Sequence, residues 1–248
     1  MLQITILGCG SSLGVPVIAC DCKICLSSLI YNKRTNSSIY IDDGNSQILV
    51  DFGFNIREQL IRENIKKLDA AILTHYHADH VSGIDNLRIF PFIQKKPLEI
   101  YSDSATMTRT ENNHKYLFAA DKLIARPIDF FAKLKIDDIA VQFFRQNHGN
   151  IDSLGIRIKD FVYSSDVAFF PEESKAFLQN IKIWVIDCVS YESNPTHAGL
   201  DKVLQWNDQY KPWQILLTNM NHLIDYYEIS KILPNNIKAL YDGYKIQL

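Results

Sequence analysis

The sequence predicts an α/β (α+β) fold in which helices cover mixed sheets, and three observations carry that reading. Apolar runs of strand length recur from end to end, and helix-period stretches separate some of them. The order is strand-rich first, irregular in the middle, then strand and helix in alternation. The strand-like runs cover residues 4–7, 38–41, 47–50, 70–74, 98–101, 141–144, 156–158, 161–163, 183–186 and 215–217. A helix is expected over residues 55–66, where Ile56, Leu60, Ile61 and Ile65 share a face and Asn55 with Glu58 forms an N-terminal cap. Others are expected from Pro171 onward and over residues 200–209 and 226–233. Residues 102–126, the least regular stretch, read as a solvated surface loop, with a substrate lid as the alternative.

Composition narrows the classes. A chain of 248 residues with 47% hydrophobic and 22% charged residues folds and buries a sizeable core, as one large domain or two small ones. Twenty-six Lys and Arg against 28 Asp and Glu give a net charge of −2, so no global field gathers nucleic acid or an anionic membrane. The first residues lack the positive and apolar regions of a signal peptide, and no run is long enough to span a membrane. Five cysteines, with Cys20, Cys22 and Cys25 crowded together, do not fit a disulfide framework and point to a reducing cytoplasm.

The chemistry concentrates where the run 70–74 ends, in Thr-His-Tyr-His-Ala-Asp-His. In an extended segment residues two apart project to one side, so His75 and His77 converge on one cation. Asp79 and His80 face a second position as the chain turns. Four groups that bind zinc, manganese or iron within six residues form a specific pattern for a metal centre.

With that ungapped His-x-His-x-Asp-His motif the sequence resembles the metallo-beta-lactamase fold hydrolases, and the resemblance extends along the whole chain, as one hydrolase domain over residues 1–248. It implies a four-layer αββα sandwich, helices outside two facing mixed sheets, with metals at one edge. It also implies further ligands at later strand ends, matched by His148 in Gln-Asn-His-Gly and Asp166 in Tyr-Ser-Ser-Asp. Asp51, in Val-Asp-Phe-Gly, matches a position that supports the ligands without reaching the metal.

Cys20-x-Cys22-x-x-Cys25, following Gly-Cys-Gly-Ser-Ser-Leu-Gly-Val-Pro, narrows the resemblance to the phosphoribosyl cyclic phosphate phosphodiesterase branch. That branch implies a structural zinc held by the three cysteines and a distant histidine, a closed shell suited to pinning a loop. Cys9 and Cys188 lack the spacing and read as core residues. Near the carboxyl end the family's Leu-Thr-His-x-x-His stands here as Leu-Thr-Asn219-Met-Asn-His222. Aligned without a register shift, Asn219 takes the place of a catalytic-metal histidine and His222 that of the structural-zinc ligand. The alternative moves His222 inward to the catalytic site. An amide is a poorer ligand than imidazole, so the second metal is expected to bind weakly or to be a harder ion such as manganese. The glycine-rich loop has no Gly-Lys-Ser/Thr ending, which argues against a nucleotide-binding P-loop.

The resemblance thus implies two divalent ions (Zn or Mn) at the catalytic site, sharing Asp166, plus one structural zinc. They activate water for attack on a phosphodiester, with Asp79 in the catalytic set and His197, in Pro-Thr-His-Ala-Gly, protonating the leaving group. The expected substrate is a small phosphodiester, cyclic forms included, or a nucleotide-like molecule. No membrane or nucleic-acid partner is expected, and a homodimer, common among relatives, stays open. The rivals are a ribonuclease Z-like transfer RNA 3-prime processing endonuclease, whose RNA-gripping arm the short middle segment does not provide, thioester hydrolysis of the glyoxalase kind, and a non-catalytic zinc-stabilised nucleic-acid binding module. Arg88 reads either as a phosphate contact or as a surface ion pair, and His114 as a loop residue. Tyr76, Tyr191 and Trp206 read as core or pocket lining.

Overall fold

A computed structural model of the chain describes residues 1–119 and 122–248. Its strands are β1 (Gln3–Gly8), β2 (Ser38–Asp42), β3 (Gln47–Val50), β4 (Ala70–Ile72), β5 (Leu98–Asp103), β6 (Leu123–Ile128), β7 (Lys133–Ile136), β8 (Ile139–His148), β9 (Ile151–Ile158), β10 (Phe161–Ser164), β11 (Ile183–Asp187), β12 (Gln214–Thr218), β13 (Ile237–Ala239) and β14 (Lys245–Gln247). The α-helices are α1 (Ile56–Arg62), α2 (Ala78–Val81), α3 (Ile89–Gln94), α4 (Ser104–Asn113), α5 (Lys115–Phe118), α6 (Leu200–Tyr210) and α7 (Tyr226–Ile232). The strands form two seven-stranded mixed sheets, ordered β14-β1-β2-β3-β4-β5-β6 and β13-β12-β11-β10-β9-β8-β7.

The period-two pattern explains the layering. Along β3, Ile48 and Val50 face the core that holds Phe143, Leu154 and Ile156 of the other sheet, whereas Leu49 joins Ile56, Leu60 and Phe90 under the outer helices. Ala70 and Ile72 of β4 divide from Ala71 in the same way. On the far side, Leu200, Val203 and Trp206 of α6 pack onto the second sheet, Trp206 lying 4.7 Å from the Phe170 ring and 6.2 Å from Trp184. The result is the expected four-layer αββα sandwich.

All ten expected strands are present, and three expectations need correction. Helix α1 is shorter than residues 55–66 and Asn55 does not cap it, because its Oδ1 accepts the Asn36 backbone N–H at 3.2 Å instead. Ile61 points outward. The stretch after Pro171 is a 3-10 turn, Glu172–Leu178. Residues 102–126 are not a loop, since their described part forms the end of β5, α4, α5 and the start of β6. Asp103 caps α4 by accepting the Ala105 and Thr106 N–H groups, and the helix buries Thr106, Met107 and Thr110. Of those three only Met107 is apolar, so a hydrophobicity pattern does not register that buried face.

Candidate metal centre

Six strands bring their carboxyl ends to one edge of the sandwich, and the chemistry-bearing side chains stand on those ends. Asp51 follows β3, His75 and His77 follow β4, His148 ends β8, Asp166 follows β10, Asp187 ends β11 and Asn219 follows β12. Asp51, Asp166 and Asn219 have φ values of +60°, +47° and +61°. Asp and Asn tolerate this left-handed region better than most residues, and it turns the chain sharply off the strand.

His75 Nε2 and His148 Nε2 each lie 3.1 Å from His77 Nδ1, and Asp166 Oδ2 lies 3.7 Å and 3.5 Å from the same two Nε2 atoms. Beside them, His80 Nε2 is 3.3 Å from Asp79 Oδ2 and 3.3 Å from Asp166 Oδ1. Two groups of metal-ligand type, His75/His77/His148/Asp166 and Asp79/His80/Asp166, therefore share one carboxylate. Ligand atoms about 2.0–2.1 Å from a common ion sit roughly 3.0–3.4 Å apart, which matches the spacing of the three rings.

The far ring nitrogens are held as ligand histidines require. His75 Nδ1 donates to Thr74 Oγ1 at 3.0 Å, His148 Nδ1 to the Thr196 carbonyl at 2.7 Å, and His80 Nδ1 to Asp51 Oδ2 at 2.7 Å. Asp51 is itself pinned by the Thr74 N–H at 2.8 Å and the Thr74 hydroxyl. His80 Nε2 is buried without a hydrogen-bond partner, aimed at the Asp79 and Asp166 oxygens, as suits a cation between them.

Electrostatics agrees. Burial opposes charge on His80, yet Asp166, Asp51 and Asp79 override it and hold its pKa well above the ordinary value. For His75, burial, reinforced by His80, pushes the pKa well down. Burial would raise Asp166, but the charge of His80 beside it holds it far below the usual carboxylate range. Such a site favours concentrated positive charge among carboxylates, and a divalent ion supplies it.

His197, in the loop before α6, donates from Nδ1 to Asp187 Oδ2 at 2.9 Å and turns Nε2 toward the centre, 3.9 Å from Asp166 Oδ2. Burial lowers its pKa, but Asp187 outweighs this and raises it to about 9. Sequence reading missed Asp187. The available signal was its place at the end of an apolar run, the same setting as Asp51. Asn219 reaches the centre with its nitrogen foremost: Nδ2 donates to Asp166 Oδ1 at 2.8 Å and Asp187 Oδ1 at 3.1 Å. Asn219 thus stands where the expected catalytic-metal histidine would, with its nitrogen and not its oxygen facing the carboxylates.

A second group lies apart. His222 Nδ1 is 3.2, 3.5 and 3.6 Å from the sulfurs of Cys20, Cys22 and Cys25. A tetrahedral zinc with bonds of about 2.3 Å to sulfur and 2.0–2.1 Å to nitrogen sets nitrogen and sulfur roughly 3.6 Å apart. The Cys25 N–H donates to Cys22 Sγ, the main influence that lowers the Cys22 thiol to about 6. His222 is thus with the cysteines and not among the catalytic-centre histidines. Cys9 and Cys188 are fully buried. Arg88 pairs with Asp85 at 3.6 Å on the exposed surface, and His114 sits between α4 and α5. Trp206 is core, while Tyr76 is half-buried, its ring edge-on to His77 and covered by Arg109 of α4 at 4.1 Å. Tyr191 is 37% exposed.

A family model described as the beta-lactamase superfamily domain matches residues 46–220, which includes both groups of the catalytic edge. The chain belongs to the beta-lactamase superfamily. Among solved structures of this fold, a new diphosphatase from the PhnP family superposes with a TM-score of 0.95 at 28% identity, covering 100% of this chain and 98% of that one. Zn(2+)-bound PqqB from Methylobacterium extorquens superposes with a TM-score of 0.86 at 18% identity, covering 99% of this chain and 100% of the other, a likeness of fold alone. The octanoyltransferase of Porphyromonas gingivalis is 28% identical over 98% of this chain and 51% of its own length. The exodeoxyribonuclease WalJ of Streptococcus pneumoniae is 24% identical over 64% of this chain and 61% of its own. The chain thus spans about half to three-fifths of these two curated relatives. Among the described residues no helix is long and apolar enough to cross a membrane.

Proposed function

We propose that the chain is a metal-dependent phosphodiesterase acting on a small anionic phosphodiester, cyclic ribose phosphates being the first class to test. The observation that carries this reading is the His197–Asp187 pair at the edge of the His/Asp centre. Ester cleavage at phosphorus expels an alkoxide that needs a proton, and an imidazolium held at about 9 by a buried carboxylate keeps one available at neutral pH. His75, His77, His148 and Asp166 would hold one divalent ion, and Asp79, His80 and Asp166 a second, either zinc or manganese. When bound, such ions polarise a phosphoryl oxygen and lower the pKa of water at the site. Asp51, Thr74 and the Thr196 carbonyl orient the imidazoles so that their other nitrogens face the centre. Cys20, Cys22, Cys25 and His222 would hold a structural zinc. All five cysteines are free, as a reducing cytoplasm would keep them.

Two named neighbours, a diphosphatase and an exodeoxyribonuclease, carry names of phosphorus–oxygen cleavage, in keeping with this reading. Against a ribonuclease Z-like reading, α4 and α5 belong to the sandwich: α4 contacts β5 and β6, and neither helix forms an extended arm. The test is turnover of the metal-loaded protein on bis-aryl phosphates, cyclic ribose phosphates, precursor transfer RNA and a glutathione thioester. Cyclic phosphates or bis-aryl phosphates should turn over, and His197→Ala should lose roughly 10²–10⁴-fold in kcat. Rapid transfer RNA cleavage with inert cyclic phosphates would overturn the choice of substrate.

A further inference from the structure

On the basis of that reading of the centre, we infer that Asn219 is a hydrogen-bond donor to the shared carboxylate and not a metal ligand. The two halves of the centre therefore bind ions with unequal strength, one firmly at His75, His77, His148 and Asp166, the other exchangeably at Asp79, His80 and Asp166.

The orientation of the amide follows from what surrounds it. Asp166 Oδ1 at 2.8 Å and Asp187 Oδ1 at 3.1 Å both accept, so the group facing them is the donor, and an amide oxygen there would meet two carboxylate oxygens. On its other side the amide oxygen takes the Ser37 hydroxyl at 3.4 Å. Asn219 is 1% exposed, so presenting its oxygen to an ion would leave both carboxylate contacts broken without water to replace them. The amide instead bridges Asp166, which both halves share, to Asp187, which holds His197. One side chain thus ties the metal-facing carboxylate to the proton-donor pair.

The donor sets then differ in kind. The first half offers three imidazoles and a carboxylate, a full shell for a borderline ion such as zinc. The second offers one imidazole and two carboxylates, one of them already hydrogen-bonded to Asn219. That set suits a harder ion that keeps waters, and it leaves positions that substrate oxygens can complete.

The experiment removes metal with a chelator and returns Co²⁺ or Mn²⁺ to the whole protein, following binding by calorimetry and, for cobalt, by visible absorption. The thiolate-to-cobalt band marks filling of the cysteine group, so that ion is counted separately. The wild type should bind one ion firmly at the catalytic edge and a second at least about tenfold more weakly. Asn219→His, which offers the second ion an imidazole in place of the amide, should tighten it at least about tenfold with the first unchanged. Asn219→Ala, which removes nitrogen and oxygen together, should leave the second affinity within about threefold. Two ions of equal affinity in the wild type, or a tenfold weakening in Asn219→Ala, would overturn the assignment. Should Asn219→Ala not fold, the wild-type and Asn219→His titrations decide alone. No binding at the catalytic edge, with the cysteine group filled, would instead remove the metal reading on which this assignment rests.

Discussion

His197 Nδ1–H donates to Asp187 Oδ2 at 2.9 Å, and the Asp187 carboxylate is fully buried. The same oxygen takes the Val167 N–H at 3.0 Å, and its partner oxygen takes the Asn219 amide at 3.1 Å. The ring therefore has one orientation, with Nε2 toward the metal-facing edge. Asp187 is a positioning residue: it reaches the reaction through His197.

A pH profile follows from that pair. His197 is raised to about 9, so its protonated form is full at neutral pH and is lost as pH rises through about 9. If protonated His197 donates to the leaving group, kcat/KM falls tenfold per unit above that point. In Asp187→Asn the charge and hydrogen bond that chiefly oppose burial are gone and only Asp166 still opposes it, so the alkaline limb should move down by about one unit or more, with a loss of roughly 10–100-fold at its optimum. A limb that stays at the same pH in Asp187→Asn would mean that another group sets it.

The Asp51 carboxylate offers a second test. It accepts from His80 Nδ1 and from both Thr74 donors, and it touches no other group of the cluster in the hydrogen-bond network. Asp51→Asn keeps the shape but supplies an N–H where acceptors are required. Affinity for a metal held by His80 should fall roughly 10–100-fold, while that at the His75, His77 and His148 group falls less. Equilibrium titration of the two ions separately would check it.

Much of this architecture was legible because its central strands are buried on both faces and read as continuous apolar runs. The four strands that no run announced, β6, β7, β13 and β14, are the four edges of the two sheets. Edge strands are short and polar for a physical reason, since exposed ladders would pair with other chains. Pro127 in β6, and Lys133 with Lys135 in β7, are of that kind. The centre was legible in the same measure. His75, His77, Asp79 and His80 lie close together in sequence, so their spacing alone suggests a shared ion. Asp187 comes to the centre only through strand pairing, and its residue type is ordinary anywhere. The placement of His222, 197 residues from Cys25, required the fold to bring the loop after β12 onto the cysteine loop.

Thiol chemistry gives the next prediction. Chelation at neutral pH, or Cys25→Ser, should release the loop that carries Cys20 and Cys22 from His222. Each 1 kcal/mol lost lowers Tm by roughly 2–4 °C in a chain of this size. A fall larger than one such step is expected, with new protease cleavage between residues 17 and 30. Wild-type Tm and cleavage pattern in Cys25→Ser would show that the cysteine group pins nothing.

The last prediction concerns Gly53, two residues after Asp51. A Cβ placed there would lie 1.7 Å from the Asp79 carbonyl oxygen and 3.2 Å from the Asn36 Cβ, so the obstacle is backbone and cannot rotate away. The close approach lets the strand end after β3 meet α2, where the Phe52 N–H donates to the His80 carbonyl at 2.7 Å. Gly53→Ala must push α2 away, and α2 carries Asp79 and His80. Overpacking of this kind costs about 1–3 kcal/mol in a well-packed core. Activity should fall further than that loss accounts for, because at temperatures where the variant is still folded its second ion seat is displaced. Denaturant unfolding and metal titration on the same preparation separate the two effects. A variant that is destabilised but binds the second ion normally would show that the close approach serves the fold and not the centre.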